Sequence, residues 1–280
     1  MRLGVNTLLW TAAFDEQHFP LLDKVKATGF DGIEIARFDF SGFPAAEIRK
    51  RSESLGLQTI FCSALTGDSS IITQDAAIRS RSLQFLRDGI RVAAELGTDT
   101  FIGPFLSAVG LLPGRRRTED EWKRGIEGLQ SLGDTLQSHG VTLAVEPLNR
   151  FETFALNTAA DAFALCEAVA NPHVGILYDT FHGHIEEKDT GAAIRKLGKH
   201  LVHVHTCEND RGIPGSGQVH WNNVFAALRD VGYDRWLVIE SFGQNVPEIA
   251  AAACIWRDLA PSTDDIMTGG LTFLQFMSVQ

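Results

Sequence analysis

Short apolar runs alternate along the chain with longer segments whose apolar residues recur at helical spacing, and the alternation repeats eight times. The runs predict strands over Leu3–Asn6, Gly32–Ala36, Gln58–Cys62, Thr98–Ile102, Thr142–Glu146, Val174–Asp179, Leu201–His205 and Trp236–Glu240. Each is short and rich in Val, Ile, Leu or Phe, as a strand covered on both faces should be. Glycine follows the helical segments. Gly29 closes the first, Gly97 follows Ser82–Leu96, Gly140 follows Trp122–Ser138 and Gly232 follows Trp221–Val231. Glycine at that place ends a helix and turns the chain into the next strand. Strands alternating with helices mean parallel βαβ units, and eight units favour a closed barrel over an open doubly wound sheet. The segment Pro261–Gln280 predicts one extra helix after the barrel. No linker or low-complexity tract divides the chain, so residues 1–280 read as a single α/β domain, a (β/α)8 TIM barrel. The 280 residues suit that fold, which takes about 250.

Composition narrows the classes of function. The net charge is −10, which argues against a nucleic-acid partner, because such affinity rests on Lys and Arg neutralising phosphates. The longest apolar run, Ile249–Trp256, is too short to cross a bilayer, and no membrane partner is expected. The opening residues, Met1 to Asn6, run straight into strand-like sequence with no secretory signal, and the expected location is the cytoplasm. Cys62, Cys166, Cys207 and Cys254 show no CxxC spacing and read as scattered reduced thiols. The basic run Arg115-Arg116-Arg117, with Glu119, Asp120 and Glu121 close behind, reads as a solvated loop, contact between copies being the lesser option.

The chemistry lies where the last four strands end. In a barrel of this kind active sites form at the C-terminal ends of the strands. Strand five ends on Glu146, strand six on Asp179, strand seven on His205 and strand eight on Glu240. Taken singly, a Glu in such a place is more often an ordinary loop carboxylate, and a His a satisfied core residue. Four consecutive strands that each run apolar and then stop on such a group are another matter, since buried carboxylates are unfavourable unless paired or metal-bound. Three oxygens and one imidazole nitrogen suit Mn²⁺, Mg²⁺ or Co²⁺ better than a sulfur-seeking metal. His203, two residues before His205 on the same strand face, reads as support for the ligands rather than a ligand.

Around these residues the sequence resembles the D-tagatose 3-epimerase / D-allulose (D-psicose) 3-epimerase family of the xylose-isomerase-like barrel superfamily. The stretch from Val145 to Glu152, Val-Glu-Pro-Leu-Asn-Arg-Phe-Glu, is similar to that family's VEPxNRFE. Leu177 to His182 with Ile185-Glu186-Glu187 resembles LDTFHxxIEE, and His203 to Arg211 resembles HxHxGExxR. Pro214-Gly215-Ser216-Gly217 with Trp221, then Glu240-Ser241-Phe242 and Trp256 to Leu259, match later landmarks. The resemblance covers the whole barrel and is strongest from Val141 to Leu259. It implies one divalent metal per subunit on Glu146, Asp179, His205 and Glu240, with Mn²⁺ ahead of Co²⁺ or Mg²⁺. It also implies that Glu152, His182 and Arg211 contact a ketose around C1 to C3, and that the protein is a homodimer or homotetramer. Cys207 departs from the pattern, standing where the family has Gly. The loop from Gly103 to Gly110 lacks an aromatic that many relatives place there, and Asn6 ends strand one where relatives vary. These departures bear on which ketose is preferred, not on the reaction.

The reaction so implied is ketose 3-epimerisation, interconverting pairs such as D-fructose and D-allulose, D-tagatose and D-sorbose, or L-ribulose and L-xylulose. A C3 proton leaves one face of the sugar and another arrives on the opposite face through a metal-stabilised cis-enediolate, which two acid/base groups on opposite sides do most directly. Glu146 and Glu240, three strand steps apart on the ring, are the expected pair, standing well apart across the pocket. Two alternatives stay open. One is an aldose–ketose isomerase of the hydroxypyruvate isomerase type, working at C1/C2 with a single base. The other is a sugar-phosphate epimerase, with Gly212–Gly217 as a phosphate loop. Against the second, Pro214 removes an amide donor and no GxxxxGK[ST] occurs. Trp10, Phe14, Phe38, Phe40 and Phe105, near strand ends, are expected to form an apolar wall that excludes water.

Overall fold

Side chains of a strand alternate between its two faces, so a ring of parallel strands sends one set toward the barrel axis and the other toward the helices. The computed structural model, which describes residues 1–242 and 246–279, has this form. Its strands are β1 (Arg2–Asn6), β2 (Gly32–Ala36), β3 (Gln58–Cys62), β4 (Thr100–Gly103), β5 (Thr142–Val145), β6 (Val174–Asp179), β7 (Leu201–His205) and β8 (Trp236–Ile239). They are paired in sequence order, and β1 closes on β8 in parallel register from Arg2↔Trp236 to Val5↔Ile239. The helices are α1 (Phe19–Thr28), α2 (Ala45–Leu55), α3 (Ala76–Leu96), α4 (Glu119–Gln130), α5 (Gly133–His139), α6 (Ala159–Val169), α7 (Thr180–Glu186), α8 (Thr190–Leu197), α9 (Trp221–Asp230), α10 (Pro247–Ala252) and α11 (Thr263–Ser278).

The outward set, including Ile33, Ile35, Phe61, Phe101, Leu143, Ile176, Val204 and Leu237, forms one large core with the apolar faces of the helices. The inward set is smaller. Ala36, Cys62, Ile102, Ala144 and Leu177 fill one cluster, and Ile60, Trp236 and Val238 fill another. The polar side chains at the strand ends therefore stand on an apolar floor. The extra helix, α11, is capped by Ser262, whose hydroxyl accepts from the Asp265 amide, and buries Ile266, Met267, Leu271 and Leu274. Among the described residues no helix is long and apolar enough to cross a membrane.

Two helices differ from expectation. The single helix expected over Trp122–Ser138 is two, α4 and α5, broken at Ser131-Leu132. Ser131 turns its hydroxyl back to the Gly128 carbonyl at 2.7 Å, and Gly133 adds a poor helix former at the break. The helix expected from Ser82 begins at Ala76, because Asp75 caps it through the Ala77 and Ile78 amides. The Arg115–Arg117 run is only partly a solvated loop. Arg115 pairs with Glu121 at 2.7 Å, Arg117 lies over the Trp122 ring at 3.9 Å, and Arg116 is exposed.

Gly103, the last residue of β4, has φ +147°, and a Cβ there would sit 1.8 Å from the Ser63 carbonyl oxygen on the neighbouring strand's extension. Its own carbonyl accepts from the Glu146 amide at 3.0 Å, so the close approach also sets the height of Glu146. Gly103→Ala is expected to destabilise the fold by about 3 kcal/mol or more, through overpacking and a strained φ. A thermal scan would then show a Tm lower by about 6–12 °C, and an unchanged Tm would contradict this reading.

Candidate active site

Glu146 follows β5, Asp179 ends β6, His205 ends β7 and Glu240 follows β8, all at the same end of the barrel and all buried. One ligand atom from each lies within 4.8 Å of the others. His205 Nδ1 is 3.5 Å from Glu240 Oε2, 3.7 Å from Asp179 Oδ2 and 4.0 Å from Glu146 Oε1. It has no hydrogen-bond partner. Ligands about 2.1 Å from a shared dication stand about 3–3.5 Å from one another, so this donor set needs little adjustment to hold one. The chemistry fits as well: a buried imidazole nitrogen without a hydrogen-bond partner faces three carboxylates, the oxygen and nitrogen donors that such a dication takes. Glu146 and Glu240 were expected well apart. Their roots are three strands apart, but both side chains point at the barrel axis, so their tips converge.

The charges are unevenly shared. Arg211 Nη1 donates to Glu240 Oε2 at 2.8 Å and to Asp179 Oδ2 at 3.0 Å, while its guanidinium lies against Phe181 and Phe242, 4.0 and 4.8 Å from the ring centres. Glu146 has no such pairing. Burial, with the Glu240 charge added, pushes its carboxyl well above the usual carboxylate range. Burial works upward on Asp179 too, but there Arg211 outweighs it and holds the carboxyl low. Burial opposes charge on His205, yet the surrounding carboxylates, Glu240 foremost, hold the imidazole well above its usual range. The backbone of Arg211 is left-handed at φ +64°. It is kept so by its amide donating to the Glu208 carbonyl at 2.9 Å and its carbonyl accepting from Ser241 Oγ at 2.5 Å.

Glu152 and His182 share one bracket. Asn149 donates through its backbone amide to His182 Nδ1 at 3.1 Å and through its side chain to Glu152 Oε1 at 2.7 Å. His182 Nε2 faces Glu146 Oε1 at 3.6 Å. Burial lowers the His182 imidazole to about 3, so the ring is neutral. Arg150 and Glu186, from two of the sequence motifs, form a bidentate pair at 2.9 and 3.0 Å that ties the loop after β5 to α7. Above these groups opens a cavity of about 330 Å³. Glu146, Glu152, His182, Arg211 and Glu240 line its polar side, and Leu8, Phe38, Cys62, Leu148, Phe242 and Ile249 line its apolar side.

The apolar wall departs from expectation. Of the five aromatics proposed for it only Phe38 lines the cavity. Phe14 and Phe105 are buried in the outer core, Trp10 packs against that core, and Phe40 stacks on Phe85. Phe242 serves instead. Cys207 is fully buried, with Sγ 3.1 Å from Asp179 Oδ2 and 3.0 Å from the Glu240 carbonyl oxygen, so the packed thiol also touches the rim. All four cysteines are free.

The loop after β7 does not offer a phosphate cradle. The carboxylate of Glu208, fully buried, already accepts from the amides of Asn209, Gly215 and Val219 and from the Trp221 indole, at 2.8–3.0 Å. Asn209 Oδ1 takes the Gln218 amide and Asp210 Oδ1 the Gly212 amide. The donors an anion would use are spent on side chains of the loop itself.

Glu34 is the residue that sequence reasoning missed. It points inward from β2, and its Oε1 is 2.8 Å from His205 Nε2 and accepts from Asn6 Nδ2 at 2.6 Å. His203 Nε2 lies 2.8 Å from Oε2, a close approach that is not aligned as a hydrogen bond. His203 thus lies beside Glu34 and outside the cluster of Glu146, Asp179, His205 and Glu240. Burial works upward on Glu34, but the two imidazoles, His205 foremost, bring the carboxyl down to about 2. The signal was present as a lone acid within the apolar run Gly32-Ile33-Glu34-Ile35-Ala36.

Residues 22–260 match the model of a family described as a xylose isomerase-like TIM barrel. The chain is 36% identical over 275 residues to a probable ketose 3-epimerase of Synechocystis, covering 98% of this chain and 96% of that protein. It is 32% identical over 269 residues to a D-psicose 3-epimerase of Agrobacterium fabrum, covering 94% and 93%. Among solved structures, an L-ribulose 3-epimerase superposes with a TM-score of 0.94 at 30% identity, covering 99% of this chain and 94% of that one.

Proposed function

Because the chain belongs to the xylose isomerase-like TIM barrel family, with ketose 3-epimerases among its relatives, we propose that it is itself a metal-dependent ketose 3-epimerase acting on free ketoses. The observation that carries the reading is the unequal pair, Glu146 and Glu240. Both line the cavity, they are rooted three strands apart, and Arg211 pairs with one of them alone. Two carboxyls in different electrostatic surroundings can hold one proton between them, one side giving while the other takes. Glu240, paired with Arg211, takes the C3 proton, and Glu146, whose carboxyl burial pushes upward, returns one to the other face; the roles reverse for the reverse reaction.

Glu146, Asp179, His205 and Glu240 would hold one dication, Mn²⁺ before Co²⁺ or Mg²⁺. When bound it supplies Lewis-acid stabilisation of the negative charge that builds on the sugar oxygens. His182, neutral, and Glu152 orient the hydroxyls near C1 to C3, with Arg211 beside them. The apolar side of the cavity excludes water from the proton-transfer faces. An isomerase working at C1/C2 needs one base, and the second carboxylate favours epimerisation over it. The spent donors of the β7 loop favour free over phosphorylated ketoses. The substrates proposed are the D-fructose/D-allulose, D-tagatose/D-sorbose and L-ribulose/L-xylulose pairs. Assembly as a homodimer or homotetramer belongs to the same proposal.

The test is a panel of free and phosphorylated ketoses, incubated with chelator-stripped protein before and after adding Mn²⁺, Co²⁺ or Mg²⁺, with products separated by chromatography. The C3 epimer of at least one free ketose is expected after metal addition, with phosphorylated ketoses slower. Aldoses as the products, or turnover of phosphorylated ketoses alone, would contradict the proposal.

A further inference from the structure

We propose that Glu34, reaching across the barrel from β2, is a positioning residue that fixes His205 with Nδ1 toward the three carboxylates and its proton on Nε2, and so sets the affinity of the centre for a dication. The inference rests on the metal-centre reading of the cluster, and not on which sugar is turned over.

An imidazole can offer either ring nitrogen, and the hydrogen bond made by the other nitrogen decides which. In His205 that other nitrogen is Nε2, 2.8 Å from Glu34 Oε1, while Nδ1 has no partner other than the carboxylates it faces. A flip of the ring would set a C–H against the Glu34 carboxylate and turn a C–H toward Glu146, Asp179 and Glu240. A negative charge behind the ring also raises the basicity of Nδ1 toward a cation.

The surroundings hold Glu34 to this task. It is fully buried, and Asn6, His203 and His205 are the polar side chains that face it. Asn6 Nδ2 donates to Oε1 at 2.6 Å, and the same Asn6 is pinned through its Oδ1 by the Leu8 amide at 2.8 Å. His203 Nε2 lies 2.8 Å from Oε2. Around them the barrel interior is apolar, with Ala36 and Cys62 as neighbours on the axis side. An apolar residue would fill such a place with less desolvation, so a carboxylate there needs a partner that uses it, and His205 is that partner.

The experiment is a calorimetric titration of chelator-stripped protein with Mn²⁺, comparing wild type with Glu34→Gln, whose amide keeps the shape and loses the charge. The Kd for Mn²⁺ is expected to rise by about 10- to 100-fold. A folded variant whose Kd stays within twofold of wild type would overturn the proposal. A second measurement does not depend on how the variant folds. In the Mg²⁺-loaded wild type, ¹⁵N spectra of His205 should place the proton on Nε2 and the metal-shifted resonance on Nδ1, and the reverse assignment would overturn the proposal. Wild-type protein that binds no Mn²⁺ would overturn the metal centre and this inference together, whereas an unchanged variant affinity overturns the inference alone.

Discussion

Glu146→Gln and Glu240→Gln are each expected to lower turnover by at least about 10³-fold, the range set by losing a positioned acid or base together with some metal affinity. Gln is nearly isosteric with Glu and keeps one oxygen on the rim, so the fold and the cluster should survive. The loss should therefore appear in kcat at metal concentrations that saturate the variant, with metal content checked by atomic absorption. The two variants differ in origin. Glu146→Gln removes the group that burial pushes toward its protonated form, while Glu240→Gln also removes the partner of Arg211. Either variant that keeps a rate near wild type with one metal bound would exclude that residue from proton transfer.

Arg211→Met should lower kcat/KM by about 100-fold, equivalent to about 2.7 kcal/mol of transition-state stabilisation. The guanidinium donates to both Asp179 and Glu240, and it is buried between Phe181 and Phe242. Met keeps the packing against those rings and removes the charge, which isolates the electrostatic part. Without it Glu240 and Glu146 lose the asymmetry that lets one take a proton while the other gives one. Breaking a buried pair by removing one partner also costs about 3–5 kcal/mol in stability, so the metal-free variant should unfold at a lower temperature than wild type. Arg211→Lys should recover little, because an ammonium cannot reproduce the flat contact with both rings. A change in kcat/KM below about fivefold for Arg211→Met would remove the residue from the reaction, since that is under about 1 kcal/mol.

Much of this site is legible in the chain because a buried polar residue is conspicuous at the end of an apolar run. Glu146, Asp179, His205 and Glu240 each close such a run, and barrel closure places the four ends on one rim. Glu34 escaped because it sits inside its run, and its partner lies on strands more than a hundred and sixty residues later; only the closed ring brings β2 to face β7. Asn149 is hidden for a different reason. Its task, holding His182 and Glu152 at once, is a property of loop geometry that spacing does not encode. The aromatic wall was misread because a strand end has two faces. Phe14 and Phe105 took the helix side, where a large ring buries more apolar area, and left the cavity to Phe38 and Phe242. The break between α4 and α5 turns on one serine hydroxyl and one glycine, too small a signal to interrupt the helical periodicity of Trp122–Ser138.

The central claim, that a proton leaves and returns at C3, is tested most directly by incubating the metal-loaded protein with D-fructose, D-tagatose or L-ribulose in D₂O and reading the products by NMR. Deuterium at C3, in the epimer and progressively in the recovered ketose, with C1 retaining hydrogen, is the expected result. Deuterium at C1 or C2 with C3 unexchanged would contradict the account and assign the protein to aldose–ketose isomerisation.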